Sequence, residues 1–103
     1  MIVVNAKAKT NSETILALKD VINTLEVETK KETGCIDYAF SVDINNPSIV
    51  RISELLEDRG SLEAQLTTVH FDNFMNAMAQ NPMDVEAHFY KVTEFNIQDS
   101  DNE

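Results

Sequence analysis

The feature that most constrains the fold is the repeated change in the spacing of apolar residues along the chain. Residues 2–9 alternate apolar and other side chains, which is the period-two pattern of a strand with one buried face. After Asn11 and Ser12, typical helix N-cap residues, the spacing lengthens to three and four. That spacing predicts an amphipathic helix with an apolar stripe formed by Ile15, Leu18, Ile22 and Leu25. Gly34 follows, as is common where a helix ends.

The alternating, period-two spacing of apolar residues then returns in two successive segments. Residues 35–44 and 49–56 both alternate, and the Asn45-Asn46-Pro47-Ser48 segment between them is rich in turn-forming residues. Asn tolerates left-handed backbone geometry, and Pro restricts φ, so the segment favours a chain reversal. The two runs therefore predict a β-hairpin.

The second half of the chain repeats the change from helix to strand. A helix is predicted from Ser61, with an interruption at Thr67-Thr68 and an end at Asn81-Pro82. Residues 85–97 alternate again and predict a last strand. The predicted order, βαββαβ, is that of a ferredoxin-like split βαβ protein of the α+β class, with one antiparallel sheet and the helices on one face.

Apolar residues fall on both faces of this predicted sheet. In the last strand, Val85 and Phe89 point one way, while Tyr90 and Val92 point the other. One layer of helices covers only one face, and an exposed apolar face usually marks an interface or a ligand site. We therefore expect a homodimer packed sheet to sheet, with a cavity between or beneath the sheets.

Composition narrows the choice of partners and compartment. The 103 residues include 18 Asp and Glu but 8 Lys and Arg, which gives a net charge of −10 and disfavours nucleic acid and anionic membranes. No apolar run approaches the ~18 residues that span a bilayer. Cys35 is the single cysteine, and no cluster has the spacing of metal ligands. We expect a cytoplasmic protein without a bound metal, with one domain over residues 1–97 and a disordered acidic tail over 98–103.

Four segments carry a resemblance to a known family. They are the block Gly34-Cys35-Ile36-Asp37-Tyr38, the turn with Pro47, the strand Ile49–Glu54 and the helical segment Leu62–Phe71. In this order they resemble the antibiotic biosynthesis monooxygenase domain, over roughly residues 2–95. The resemblance implies a dimeric α+β barrel and an oxygenase that acts on quinols or polycyclic phenols without metal, flavin or other cofactor.

The chain also departs from the family pattern. Leu56 stands where the family has a Trp, Gln65 where it has a first helix His, and Val69 where it has a Pro. Haem-degrading relatives share the plan, and Asn5 matches their strand-one Asn. Met75 stands where they have the iron-ligating His, so an axial ligand is missing and a haem role is disfavoured.

His70 and Asn5 are the candidate catalytic residues. His70 matches the retained His of the family's helix motif, and a neutral imidazole can accept a phenolic proton near neutral pH. Asn5 lies opposite the apolar stripe of the first strand and would orient a substrate carbonyl from a cavity. The alternatives are a His that braces the helix break and an Asn that faces solvent.

Candidate substrate-binding residues lie in the strand and helix motifs. They are Tyr38, Glu54, Gln65, Phe71 and Phe74. Four of them have a structural alternative, because Tyr38, Phe71 and Phe74 have the spacing of core residues, and Glu54 has Arg51 and Arg59 as candidate ion-pair partners. The resemblance implies a small aromatic or quinol-like ligand for this group.

Three functions are consistent with these residues. The first is a cofactor-independent monooxygenase that oxidises a quinol or polycyclic phenol with O₂. The second is a dimeric binding or stress-associated domain without catalysis, in line with the missing Trp and first His. A weaker third is an isomerase of a small phosphorylated dicarbonyl, which would need a cationic clamp from Lys7, Lys9, Arg51 and Arg59.

Overall fold

A computed structural model of the protein describes residues 1–98. The predicted acidic tail therefore lies outside the described residues, except for Gln98. Within them are four strands and three helices: β1 (Ile2–Lys9), α1 (Ser12–Lys30), β2 (Cys35–Asp43), β3 (Asn46–Leu56), α2 (Arg59–Gln65), α3 (Val69–Gln80) and β4 (Asp84–Lys91).

The four strands form one antiparallel sheet in the order β2-β3-β1-β4. β1 is central, because its Ala6 pairs with Ile52 of β3 on one side and with Ala87 of β4 on the other. This order and these directions are those of the ferredoxin-like plan. The predicted α+β class is confirmed, with the second helix divided into α2 and α3.

The two faces of the sheet differ in burial. On β1, Val4 and Ala6 are buried, whereas Asn5 between them is exposed. The buried face packs on the helices, as in the core cluster of Leu25 from α1, Tyr38 from β2 and Phe74 from α3. The opposite face is exposed at positions spread over three strands, namely Asn5, Arg51, Ser53 and His88.

The predicted first helix is confirmed by α1. The side chain of Asn11 accepts a hydrogen bond from the backbone N–H of Thr14 at 2.9 Å and so caps the helix. Leu18 and Leu25 of the predicted stripe are fully buried. Among residues 1–98, no helix combines the length and apolar character that crossing a bilayer requires.

The predicted interruption of the second helix is also confirmed. α2 ends at Gln65, and Thr68 begins α3 by accepting the N–H of Phe71 at 3.2 Å through its hydroxyl oxygen. The same hydroxyl donates to the backbone oxygen of Gln65 at 3.1 Å. The Thr68 hydroxyl therefore forms hydrogen bonds with backbone groups on both sides of the break.

The predicted last strand is too long. β4 ends at Lys91, not at Ile97, because Lys91 already pairs with Ile2, the first residue of β1. One further bond joins the N–H of Val92 to the oxygen of Met1 at 3.0 Å. β1 begins at Ile2, and a strand does not continue without a partner for its backbone groups.

The predicted hairpin is present, but its turn is displaced. Asp43 pairs with Asn46, so the turn consists of Ile44 and Asn45. The next pair joins Val42 to Val50, which leaves Pro47 and its neighbours in a bulge of β3. A bulge residue needs no ladder hydrogen bond, so the missing N–H of Pro47 is tolerated there.

Candidate functional site

A cavity of about 260 Å³ lies between the buried face of the sheet and helices α2 and α3. Most of its wall is apolar, with aromatic and methionine side chains from α3 facing small side chains of β1 and β4. The structure brings all five predicted substrate-binding residues to this wall, namely Tyr38, Glu54, Gln65, Phe71 and Phe74. The side chains of Met75, Met78 and Phe89 also line it, although their spacing in the sequence is equally typical of core residues.

Glu54 and Gln65 form the most polar part of the cavity wall. The Nε2 of Gln65 donates a hydrogen bond to Oε1 of Glu54 at 2.6 Å, and Gln65 is only 2% exposed. Burial raises the pKa of Glu54 above its ordinary value, and the hydrogen bond from Gln65 offsets part of this rise. The site therefore holds a carboxylate that is a stronger base than one in water.

The partner of Glu54 differs from the ion pair considered from the sequence. Arg51 instead contacts Asp43 at 2.9 Å, and Arg59 contacts Glu63 at 3.1 Å. Neither guanidinium reaches the cavity carboxylate. Without a cation beside it, Glu54 gains no charge compensation for its burial, and this is why its pKa rises.

Tyr38 lies next to Glu54, as its cross-strand partner on β3. Burial, and secondarily the negative charge of Glu54, raises the pKa of Tyr38 far above its ordinary value. Its hydroxyl therefore stays protonated and can donate a hydrogen bond. The ring continues into an aromatic row, with Phe40 at 5.8 Å between ring centres and Phe74 at 5.7 Å from Phe40.

His70 does not line this cavity. It lies in the first turn of α3, where its Nε2 is hydrogen-bonded to the carboxylate of Glu32, and its side chain is 15% exposed. Glu32 lies in the turn between α1 and β2. The contact therefore ties the start of α3 to that turn, which corresponds to the bracing role considered from the sequence.

Asn5 lies on the other face of the sheet. It pairs with Ser53 of β3 and His88 of β4, while its neighbours Val4 and Ala6 line the cavity. Successive side chains of a strand point to opposite faces, so Asn5 cannot share the cavity with them. The structure therefore does not bring Asn5 and His70 together at one site.

Three polar or aromatic side chains of β4 lie on the same sheet face as Asn5, and His88 among them was expected from the sequence to be exposed. His88 Nε2 contacts Glu86 Oε2 at 2.8 Å, and the His88 ring stacks on Tyr90 with 6.4 Å between ring centres. All of these side chains are exposed. The alternating positions of β4 were the available signal, because residues 86, 88 and 90 necessarily share one face.

A second cavity, of about 530 Å³, adjoins the first. The two share Leu62, Leu66 and Phe89, and the second extends to Arg59 and Lys91 at the surface. The first cavity itself opens to solvent, because Phe89 in its wall is 60% exposed. Within residues 1–98, no group of three or more His, Cys, Asp or Glu side chains is placed to hold a metal ion.

Similar proteins share this architecture. A candidate antibiotic biosynthesis monooxygenase from Deinococcus radiodurans superposes with a TM-score of 0.85 at 21% identity, covering 96% of this chain and 100% of its own. A conserved protein from Methanosarcina mazei Go1 superposes with a TM-score of 0.81 at 29% identity, covering 89% of this chain and 92% of its own. A candidate antibiotic biosynthesis monooxygenase from Caulobacter crescentus CB15 gives 0.82 at 20% identity, with 90% of each chain covered.

Sequence comparison identifies the family. No relative is found among functionally curated proteins. The family model described as antibiotic biosynthesis monooxygenase matches residues 1–77, which include β1 through most of α3 and therefore most of the cavity wall. The protein belongs to the antibiotic biosynthesis monooxygenase family.

Proposed function

We propose that the protein is a cofactor-independent monooxygenase that oxidises a quinol or phenol with O₂ in the apolar cavity. The observation that carries this proposal is a partly buried carboxylate, Glu54, in an otherwise apolar cavity of a member of this family. An apolar cavity favours entry of O₂ and of an aromatic ring, and a basic carboxylate supplies the proton acceptor that activates a phenol.

The chemistry needs no external reductant. Glu54 accepts the phenolic proton, and the phenolate transfers one electron to O₂. The resulting radical pair joins at a ring carbon that carries hydrogen, and the hydroperoxide loses water to leave a carbonyl. One oxygen atom enters the product and the other leaves as water, so all four electrons come from the substrate. The protein contributes positioning and the proton acceptor, which is worth ~10²–10⁴-fold for the acid–base part.

The size of the cavity favours a small substrate. At about 260 Å³, it lies just below the ~300–1,000 Å³ of typical ligand pockets. A ring system of one or two rings suits this volume better than a polycyclic phenol of four rings. Substituents on the ring would extend into the adjoining cavity past Leu62 and Phe89.

His70 and Asn5 take different roles in this proposal. His70 acts as a positioning residue, because its bond to Glu32 holds the start of α3, whose next residue, Phe71, lines the cavity. Asn5 lies on the exposed sheet face, where we propose that a second copy packs to form a homodimer. The free thiol of Cys35 is consistent with the reducing cytoplasm as its compartment.

Oxygen uptake with a panel of reduced naphthoquinones tests the function. We expect uptake above the autoxidation rate, a loss of about 10²-fold or more in Glu54→Gln, and a smaller loss in His70→Ala. Glu94→Gln removes an exposed carboxylate outside the cavity and serves as the matched control. No uptake above autoxidation would refute the function, and a wild-type rate in Glu54→Gln would refute the role of Glu54.

A non-catalytic ligand-binding domain is the second candidate. It is favoured by the departure at the family's Trp position. Leu56 stands there, is buried in the core beside Ile2 and Val4, and does not line the cavity. This candidate predicts thermal stabilisation by naphthols without oxygen consumption. For the isomerase alternative, Arg51 and Arg59 already have carboxylate partners outside the apolar cavity, so no cationic clamp for a phosphate is assembled on its wall.

A further inference from the structure

We propose that Tyr38, Glu54 and Gln65 act together as a selector that binds the hydroxyl form of an aromatic ligand and rejects the carbonyl form. The inference rests on the proposed function, because it specifies which redox form of the substrate the same cavity holds. It assigns the three side chains a role in recognition and in product release, beyond the proton transfer already proposed for Glu54.

The selector presents one available donor and two acceptors. The hydroxyl of Tyr38 remains protonated and is the donor. One hydrogen of the Gln65 amide is used by Glu54, and Oε1 of Gln65 is buried without a hydrogen-bond partner among the described residues. The second oxygen of the Glu54 carboxylate is the other acceptor, since an ionised carboxylate accepts through both oxygens.

The orientation of the Gln65 amide follows from this pairing. An ionised carboxylate has no hydrogen to donate, so the amide must turn its nitrogen toward Glu54. Its oxygen is then left as a buried acceptor of a residue that lines the cavity, with its hydrogen-bonding capacity unused. A buried acceptor without a donor is unfavourable, and a ligand that brings a donor relieves this.

A hydroxyl group matches the selector, and a carbonyl does not. A phenolic O–H can accept from Tyr38 and donate to Glu54 or Gln65 through one oxygen atom. A carbonyl can only accept, so it can pair with Tyr38 but leaves Oε1 of Gln65 as unpaired as it is in the free protein. The rest of the wall is apolar and contacts both redox forms equally. We expect the hydroxyl form to bind about 10–100-fold more tightly.

This preference has a consequence for turnover. Oxidation removes the hydrogen of the phenolic O–H and leaves its oxygen as a carbonyl oxygen. The carbonyl of the product has no hydrogen to donate to the acceptors that held the substrate, so the product binds more weakly and leaves the cavity readily. Accumulated quinone is therefore expected to be a weak inhibitor of the reaction.

Equilibrium binding without oxygen tests the selector. Anaerobic isothermal titration calorimetry at pH 8 would compare 1-naphthol, 1-methoxynaphthalene and 1,4-naphthoquinone, which have similar size and differ in the donor. We expect 1-naphthol to bind about 10–100-fold more tightly than either of the others. Gln65→Leu and Glu54→Gln should each reduce this ratio, whereas the exposed controls Gln80→Leu and Glu94→Gln should keep it.

The outcomes separate the selector from the proposed function. Three results would overturn the selector. They are an affinity ratio of 1-naphthol to the other ligands below about threefold in the wild-type protein, no binding of 1-naphthol, or an affinity ratio that is unchanged in both cavity variants. A large ratio without oxygen uptake would instead support the selector and refute the monooxygenase. Oxygen uptake with equal binding of all three ligands would support the monooxygenase and refute the selector.

Discussion

Gly34 lies in the turn between α1 and β2 and has a φ of 87°, a left-handed conformation that side chains with a Cβ rarely adopt. Its backbone oxygen accepts the N–H of Glu57 at 2.8 Å, so the turn sits against the start of α2. An added Cβ would lie 2.0 Å from the Oγ of Ser61 and 2.7 Å from its Cβ. The substitution Gly34→Ala therefore perturbs both the backbone and a packed contact.

The expected loss of stability has two parts. The left-handed conformation disfavours alanine by ~1–2 kcal/mol. Ser61 must also move, and it now donates both its N–H and its Oγ–H to Asp58 Oδ1, each at 2.8 Å, as part of the N-cap of α2. Losing such a cap costs ~0.5–2 kcal/mol. The sum, about 2–4 kcal/mol, is a large share of the ~5–15 kcal/mol free energy of unfolding of a typical domain.

Urea and thermal unfolding would measure this loss. For a chain of this size, 2–4 kcal/mol corresponds to a fall in Tm of about 10–25 °C. Gly60→Ala is the matched control, because an added Cβ there meets Asp58 Oδ1 at an ordinary 3.5 Å within α2, so its stability should match or exceed that of the wild type. Gln65 lies in the same helix as Ser61, so Gly34→Ala should also weaken binding of 1-naphthol.

A double-mutant cycle decides whether the contact with Ser61 is the cause. Ser61→Gly removes the clashing side chain, so it should recover part of the stability lost in Gly34→Ala. A Gly34→Ala protein within about 0.5 kcal/mol of the wild type would refute the argument. Strict additivity of the two substitutions would show that the loss arises from the backbone alone.

Two further predictions concern the cavity wall. Because burial raises the pKa of Glu54, its contribution to stability is present below its ordinary pKa and is lost as the pH rises through the raised value. Glu54→Gln cannot ionise and should therefore gain stability relative to the wild type as the pH rises above the ordinary glutamate pKa of about 4.3, measured by urea unfolding; a difference independent of pH would contradict this. Phe74→Ala, which removes a buried ring packed on Phe40, should lose about 3–5 kcal/mol in the same assay. Phe95→Ala is the control, because Phe95 is 57% exposed and its loss should change stability by less than about 0.5 kcal/mol; similar losses in both would contradict the assigned packing.

Local patterns sufficed for most of the elements. The N-cap at Asn11, the apolar stripe of α1 and the break at Thr68 depend on neighbours within one helical turn, so the sequence alone predicts them. The end of β4 at Lys91 was not predictable in this way. It depends on where β1 begins, which is a property of pairing between distant segments.

The candidate site likewise combines residues that the sequence predicts with contacts that depend on tertiary packing. Motif resemblance pointed to Tyr38, Glu54 and Gln65, and each lies on the cavity wall. The resemblance could not say that Gln65 donates to Glu54, because that contact depends on how α2 packs over β3. It also placed His70 among the catalytic candidates, whereas its contact with Glu32 depends on the packing of α3 against the turn after α1.

The sequence by itself determined the order of strands and helices, the ferredoxin-like plan and the family, because periodicity, caps and motifs are local and survive without tertiary context. Only the tertiary structure decided which side of the sheet holds the cavity. That choice follows from which stripe of β1 the helices cover, and it separates Asn5 from the carboxylate of Glu54 by the thickness of the sheet. The proton acceptor assigned to this cavity is consequently Glu54, a residue whose basicity arises from burial that the sequence does not display.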